Sequence, residues 1–299
     1  METGELLKRL GQRQDAKICI ISCDNLGFAH CFNVGIFEAL RSGVATTARL
    51  ILNAPWSREA MALYRGEDIG VSLAFTSEHK IFRMAPLTQS PTLVDGAGEL
   101  PESLEEFWEH GDTTEVKREC RAQIERAIFY GFDPSHVASE SQALTLRPEF
   151  FDVLLDVAVE FALPLRLPVG DDPSHSVFPA AEIAGDEGLI APTHQIVRFD
   201  SGPNALGCTE RNFEEAVSNL EVGVSELSFR PAIASTELKA LMGEEWTRYS
   251  QAHALLTSTR ASEILREYGV HTIGYRDLKK IQSQILTRTE SLGERRSTK

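Results

Sequence analysis

Short apolar runs rich in β-branched residues alternate along the chain with longer segments of helical period. The short runs lie near 17–23, 48–54, 69–75, 135–139, 163–168, 226–230 and 271–275, and their length and punctuation predict strands. Segments near 31–43, 57–66, 114–130, 148–162, 210–221 and 250–269 predict helices. In 114–130, Val116, Cys120, Ile124, Ala127 and Ile128 recur at three- and four-residue steps, the spacing of one buried helix face. Pro148 stands at a first helical position, where its missing N–H does no harm. Gly43, Gly131 and Gly269 each close a helical run before a strand. Strands separated by helices imply right-handed βαβ crossovers and a parallel sheet. About seven such units in ~250 residues suit a closed or nearly closed α/β barrel better than an open doubly wound sheet.

Two stretches, 77–112 and 169–208, break this rhythm and are too long for simple connections. In a barrel, insertions of this kind sit at the catalytic rim as lids or substrate walls. Ile81, Phe82, Trp108, Val177, Phe178 and Phe199 give them something to bury. Residues 1–16 read as an N-terminal extension, 17–285 as a single barrel domain and 286–299 as a frayed polar tail.

Charge narrows the partners. A net charge of −14 argues against nucleic acid and anionic membrane, both of which would repel the chain. No apolar run reaches membrane-spanning length, and the start at Met1-Glu2-Thr3-Gly4-Glu5 does not read as a signal peptide. The five cysteines, Cys19, Cys23, Cys31, Cys120 and Cys208, form no CxxC pair, which fits a reduced, cytoplasmic protein. The phosphate fingerprints GxGxxG and GxxxxGK[ST] are absent.

Polar residues at the C-terminal ends of parallel barrel strands converge on one mouth. The first strand supplies Asp24 and Asn25, the second Asn53, and the third Ser72, Thr76 and Glu78. The fourth adds Ser139 and Glu140, the fifth Arg166 and the sixth Arg230. Singly, each has an ordinary explanation: Asp24 as a helix cap, Arg166 in a surface ion pair. Together, three carboxylates and two arginines on one face need a compensating arrangement or a ligand.

These residues carry a family resemblance. Asp24-Asn25-Leu26-Gly27 stands where the YdjC/ChbG/HpnK family of carbohydrate deacetylases has Asp-Asp-Phe-Gly, followed by the matching helix from Phe32 to Leu40. The segments Thr46–Leu50 with Asn53, Gly70–Glu78, Pro91–Asp95, Asp133–Glu140, Arg166-Leu167-Pro168, Glu226–Pro231 and Gly274–Leu278 resemble further family motifs in the same order. The likeness runs from about residue 17 to 280. It implies a distorted TIM-like (β/α) barrel with mostly parallel strands, divalent-metal hydrolysis of sugar N-acetyl groups, and a homodimer.

The departures fall on the chemistry. By that resemblance Asp24 keeps the general-base position, while the three metal positions read Asn25, Ser72 and Glu140. Arg230 stands where the family has the histidine that protonates the leaving group, and Ala138 replaces an acid. An amide, a hydroxyl and one carboxylate suit Zn²⁺ poorly, and an arginine does not serve as a general acid. His136 matches a structural family histidine. His30, His79, His175 and His194 fall on expected mouth loops, with His79 and His194 the better proton carriers.

Three readings follow. The first is a repurposed, cofactor-free enzyme acting on a small sugar-like or carboxylate-bearing substrate by hydrolysis, elimination or isomerisation. In it Asp24, Glu140 and Arg230 are catalytic, and Asn25, Asn53, Ser72, Thr76, Glu78, Arg166 and His194 bind substrate. The second is a non-catalytic protein that binds a ligand or partner in the old pocket. The third is a residual hydrolase holding Mg²⁺ or Mn²⁺ weakly through Asp24, Glu140 and a rim histidine.

Overall fold

The structure, a computed structural model, describes residues 1–77, 79, 82–167, 178–194, 196–199 and 206–285. Its strands are β1 (Lys17–Leu26), β2 (Thr47–Leu50), β3 (Ile69–Leu73), β4 (Pro134–Ser139), β5 (Leu165–Arg166), β6 (Ile196–Arg198), β7 (Gly223–Phe229) and β8 (His271–Thr272). Their order is β5-β4-β3-β2-β1-β7-β6, all parallel. β7 lines one edge of β1, while β2 and β8 share the other, β8 beside Ile18 and Cys19 and β2 from Ser22 onward. The sheet curls into a half-barrel with helices outside, the distorted TIM-like α/β architecture expected. Across the open side, Ile190 accepts a hydrogen bond from Leu165 N–H, and Thr193 and His194 donate to the Val224 carbonyl.

The period-2 alternation of the strands separates two cores. Outward residues such as Ile21, Cys23, Leu50, Val71, Val137, Leu165 and Phe229 pack beneath the helices. Inward residues at the strand starts, Ile18, Ile20 and Val224, meet Leu6 and Leu7 of the helix Thr3–Arg9 and Tyr275, Leu278 and Ile281 of the helix at 275–285. Both helices therefore plug the barrel floor, so the N-terminal segment is packed into the barrel and not merely appended to it. Above this floor the inner face turns polar, with Ser22, Asp24, Arg49, Ser72, His136, Arg166, Glu226 and Ser228 all buried. The space is tight: a Cβ at Gly70 would stand 2.4 Å from the His136 ring, which stacks on Tyr275 at 3.8 Å between centroids.

Several boundaries differ from the pattern. β6 is a three-residue strand inside the second long insertion, too short for periodicity to reveal. β2 ends at Leu50, because the chain turns before Asn53. The run 250–269 is two helices, Trp246–Leu256 and Thr259–Glu267, parted where Ser258 Oγ accepts from Ala261 N–H and caps the second. The helix Thr113–Phe129 buries Val116, Cys120, Ile124 and Ala127 as predicted, but Ile128 is 48% exposed. The 77–112 insertion holds the helix Leu104–His110, and Trp108, Phe178 and Phe199 pack on the core. Ile81, Pro168, Val177 and the tail 286–299 lie outside the described residues. The five cysteines are buried thiols, none joined in a disulfide. No helix among the described residues is long and apolar enough to cross a membrane.

Candidate active site

β1 does not end as a regular strand. Its register with β2 slips between Cys23 and Leu26, Asn25 adopts φ 72°, and Gly27 adopts φ 91°. Gly27 suits that place, since a Cβ there would lie 2.8 Å from the Ile51 carbonyl. Asn33 Oδ1 fixes the turn by accepting from Gly27 N–H at 2.7 Å. The bulge leaves Asp24 facing the barrel interior and Asn25 facing the cavity above it. At the end of β4, Ser141 and Gln142 take φ 47° and 61°, a left-handed turn immediately after Glu140.

The centre of the floor is Arg49 on β2, a residue assigned no role from the sequence. Its guanidinium is 4% exposed and grips Asp24 twice, Nε to Oδ1 at 2.7 Å and Nη2 to Oδ2 at 2.6 Å. Nη1 donates to Ser72 Oγ at 3.0 Å and lies 3.7 Å from Glu140 Oε2. Ser72 in turn donates to Glu140 Oε2 at 2.5 Å, and Ser228 Oγ donates to Asp24 Oδ2 at 2.8 Å. A second chain runs below: Tyr275 donates to Glu226 Oε2 at 2.7 Å, Arg166 Nε donates to Glu226 Oε1 at 2.5 Å, and Arg166 Nη2 stands 3.8 Å from Asp24. A lone arginine inside Thr47-Ala48-Arg49-Leu50-Ile51 was the available signal, because alternation points it inward. Glu226 carried the same signal in β7.

The charges set one another's protonation. Burial alone would push Asp24 up, but the Arg49, Arg166 and Arg230 guanidiniums overcome it and hold the carboxyl well below the usual carboxylate range. Burial opposes the charge on Arg166, yet Glu226 and Asp24 keep it more firmly protonated than an ordinary arginine. Burial, reinforced by Arg49 and Arg166, pushes His136 far down and keeps it neutral.

Over this floor opens a cavity of about 300 Å³, lined in part by Asn25, Thr76, Glu140 and Arg230. Glu140 is the carboxylate of the pair that reaches it, at 15% side-chain exposure against 7% for Asp24. Phe28, His79 and Phe82 form one wall, with ring centroids 4.9 to 5.3 Å apart.

Not every expected site residue gathers here. Ser72 and Arg166 lie in the buried layer beneath the cavity. Asn53 is turned away, donating to the Ala85 carbonyl at 2.9 Å and to Glu119 Oε1 at 3.2 Å, where it secures a rim loop. His194 sits at the opposite end of the barrel, bonded to the Val222 carbonyl beside the start of β7. Its loop lies within the second insertion but turns under the sheet. His30 pairs with Glu59 at the surface. Glu78 and His175 lie outside the described residues.

The YdjC-like protein family model matches residues 19–267. The chain belongs to the YdjC-like family. A carbohydrate deacetylase of Thermus thermophilus is 32% identical over 267 residues, covering 88% of this chain and 95% of its own. A carbohydrate deacetylase of Geobacillus stearothermophilus is 28% identical over 269 residues, covering 89% and 99%. A solved Enterococcus faecalis structure superposes with a TM-score of 0.75 at 24% identity, over 88% of this chain and 99% of its own, and shares the fold.

The YdjC-like resemblance assigns a divalent metal to the positions of Asn25, Ser72 and Glu140. The residues present do not fit one. They offer a single carboxylate, and the fixed charge of Arg49 already faces two of the three positions. Among the described residues, no three His, Cys, Asp or Glu side chains converge as a ligand group.

Proposed function

We propose that this YdjC-like protein is a metal-independent enzyme that moves protons on a small sugar-like substrate bearing an anionic group. The observation that carries the reading is Arg49, a guanidinium that supplies positive charge between Asp24, Ser72 and Glu140 from within the chain. Glu140 is the proton carrier, being the carboxylate that opens on the cavity and the one whose partner, Ser72, can follow its change of charge. Asp24 stays ionised and holds Arg49 in place. Arg230 faces the substrate as a permanent cation that steadies negative charge in the transition state. Asn25 and Thr76 offer hydrogen bonds to hydroxyl groups, and the Phe28–Phe82 wall suits the apolar face of a sugar ring. The carbohydrate deacetylases among the relatives support a sugar-shaped ligand.

The test combines elemental analysis of the purified protein with turnover of N-acetylated chitooligosaccharides, uronates and sugar phosphates, before and after EDTA. The expected result is substoichiometric metal and a turnover that EDTA leaves intact and Glu140→Gln abolishes. A stoichiometric divalent ion, or acetate release that EDTA stops and zinc restores, overturns it. A second reading, a binding protein without turnover, is favoured by the ion-paired state of Asp24, which makes that carboxylate a weak proton acceptor. A ligand that raises the melting temperature and is recovered unchanged would select this second reading.

A further inference from the structure

Arg198, on β6, entered none of the sequence readings. β6 runs parallel to β7 with Arg198 level with Ser228, so the two side chains share a face. Ser228 points inward, because its hydroxyl donates to Asp24. The next residue, Phe199, points outward and stacks on Phe229 at 4.4 Å. Arg198 is thus directed into the barrel mouth, beside the Asp24 layer and partly open to solvent.

Its surroundings are unusual for a cation. Above the apolar floor, the described inner-face charges are Asp24, Glu140 and Glu226 against Arg49, Arg166, Arg198 and Arg230. Arg49 is committed to Asp24, and Arg166 to Glu226. Among the described residues, no hydrogen bond or ion pair engages the Arg198 guanidinium. Burial and the neighbouring Arg166 work against its charge, with Asp24 giving partial relief and Arg49 and Arg230 adding repulsion. A half-buried cation in that setting is stabilised by an incoming anion.

We infer that Arg198, beside Arg230 just past the end of β7, forms an anion subsite at the β6 side of the mouth that takes the carboxylate of a sugar acid. A carboxylate matches the single charge of the Arg198 guanidinium, whereas a phosphate monoester brings about −1.5 to −2. A carboxylate also fits the guanidinium fork with two parallel hydrogen bonds. The inference rests on the reading of the cavity as a substrate site and names the substrate class. It moves the anion-holding role from Arg166, which is internally paired, to Arg198.

Isothermal titration of the full-length protein with D-glucuronate, D-galacturonate, D-glucose and D-glucose 6-phosphate tests it. The uronates are expected to bind about tenfold or more tighter than glucose, and tighter than the phosphate ester. Arg198→Gln should abolish that preference, and Arg198→Lys should retain part of it. Equal affinity for glucose and the uronates, a preference for the phosphate ester, no uronate binding, or a full preference in Arg198→Gln would each overturn the inference. These readouts involve no turnover, so failure of the proposed acid/base chemistry or a metal requirement would appear separately.

Discussion

Arg49 reaches Asp24 through two hydrogen bonds, and neither partner has water to turn to if the other is removed. Arg49→Met, close in length and uncharged, is expected to cost about 3–5 kcal/mol in urea denaturation. Adding Asp24→Asn should recover part of that loss, because the stranded carboxylate is then gone. His136 sets a second expectation at this scale. It is enclosed by Tyr275, Gly70 and Ser135, and Arg49 and Arg166 add to the burial that keeps it neutral. The unfolded chain takes up that proton below about pH 6.5 while the folded one does not, so stability falls as pH drops through this value. The slope from this group approaches about 1.36 kcal/mol per pH unit, and Asp24, also depressed in the fold, adds its own loss below about pH 3.9. Denaturation midpoints from pH 7 to 5 check the first part, and His136→Gln should flatten it.

At the level of elements, β3 and β4 approach so closely at Gly70 that a methyl group would enter the His136 ring. Gly70→Ala should destabilise the protein by about 1–3 kcal/mol, since the ring is held against Tyr275 and yields only by shifting a strand. A thermal melt with a refolding control measures it. Strands such as β1 and β7 and the helix Thr113–Phe129 were legible because each carries enough residues for its period to show. β6 was not, having three residues, and neither was the break at Ser258, where the apolar period continues across two helices. The site divides in the same way. Strand-end positions brought Asp24, Asn25, Ser72 and Glu140 together, because they follow from topology alone. Arg49 and Arg198 lie within strands, where the meaning of a charge depends on which face is inside, so strand-end positions do not reveal them. His194 is expected at the mouth because its loop lies in a rim insertion, yet that loop passes beneath the sheet; Asn53 is expected there as a strand end, yet β2 stops at Leu50 and Asn53 binds Glu119.

For the whole molecule, the barrel is closed below by two helices far apart in sequence, with Leu6 and Leu7 meeting Tyr275, Leu278 and Ile281. Leu7→Ala should cost about 2–5 kcal/mol, as for other leucines with no exposed surface, and chemical denaturation will show it. The central strand has a related property. β1 is an early strand, yet one of its edges is covered by β7, with Lys17 beside Gly223, and the start of its other edge by β8. During synthesis β1 therefore leaves the ribosome long before those neighbours exist. Pairings of such sequence separation form slowly. Until residue 229 has emerged, Asp24 and Arg49 are on an unfinished sheet, still hydrated, and their mutual attraction is weak. The charge network inside the barrel is thus a late event in the life of each chain, and the nascent protein carries an open apolar edge that chaperones are suited to cover.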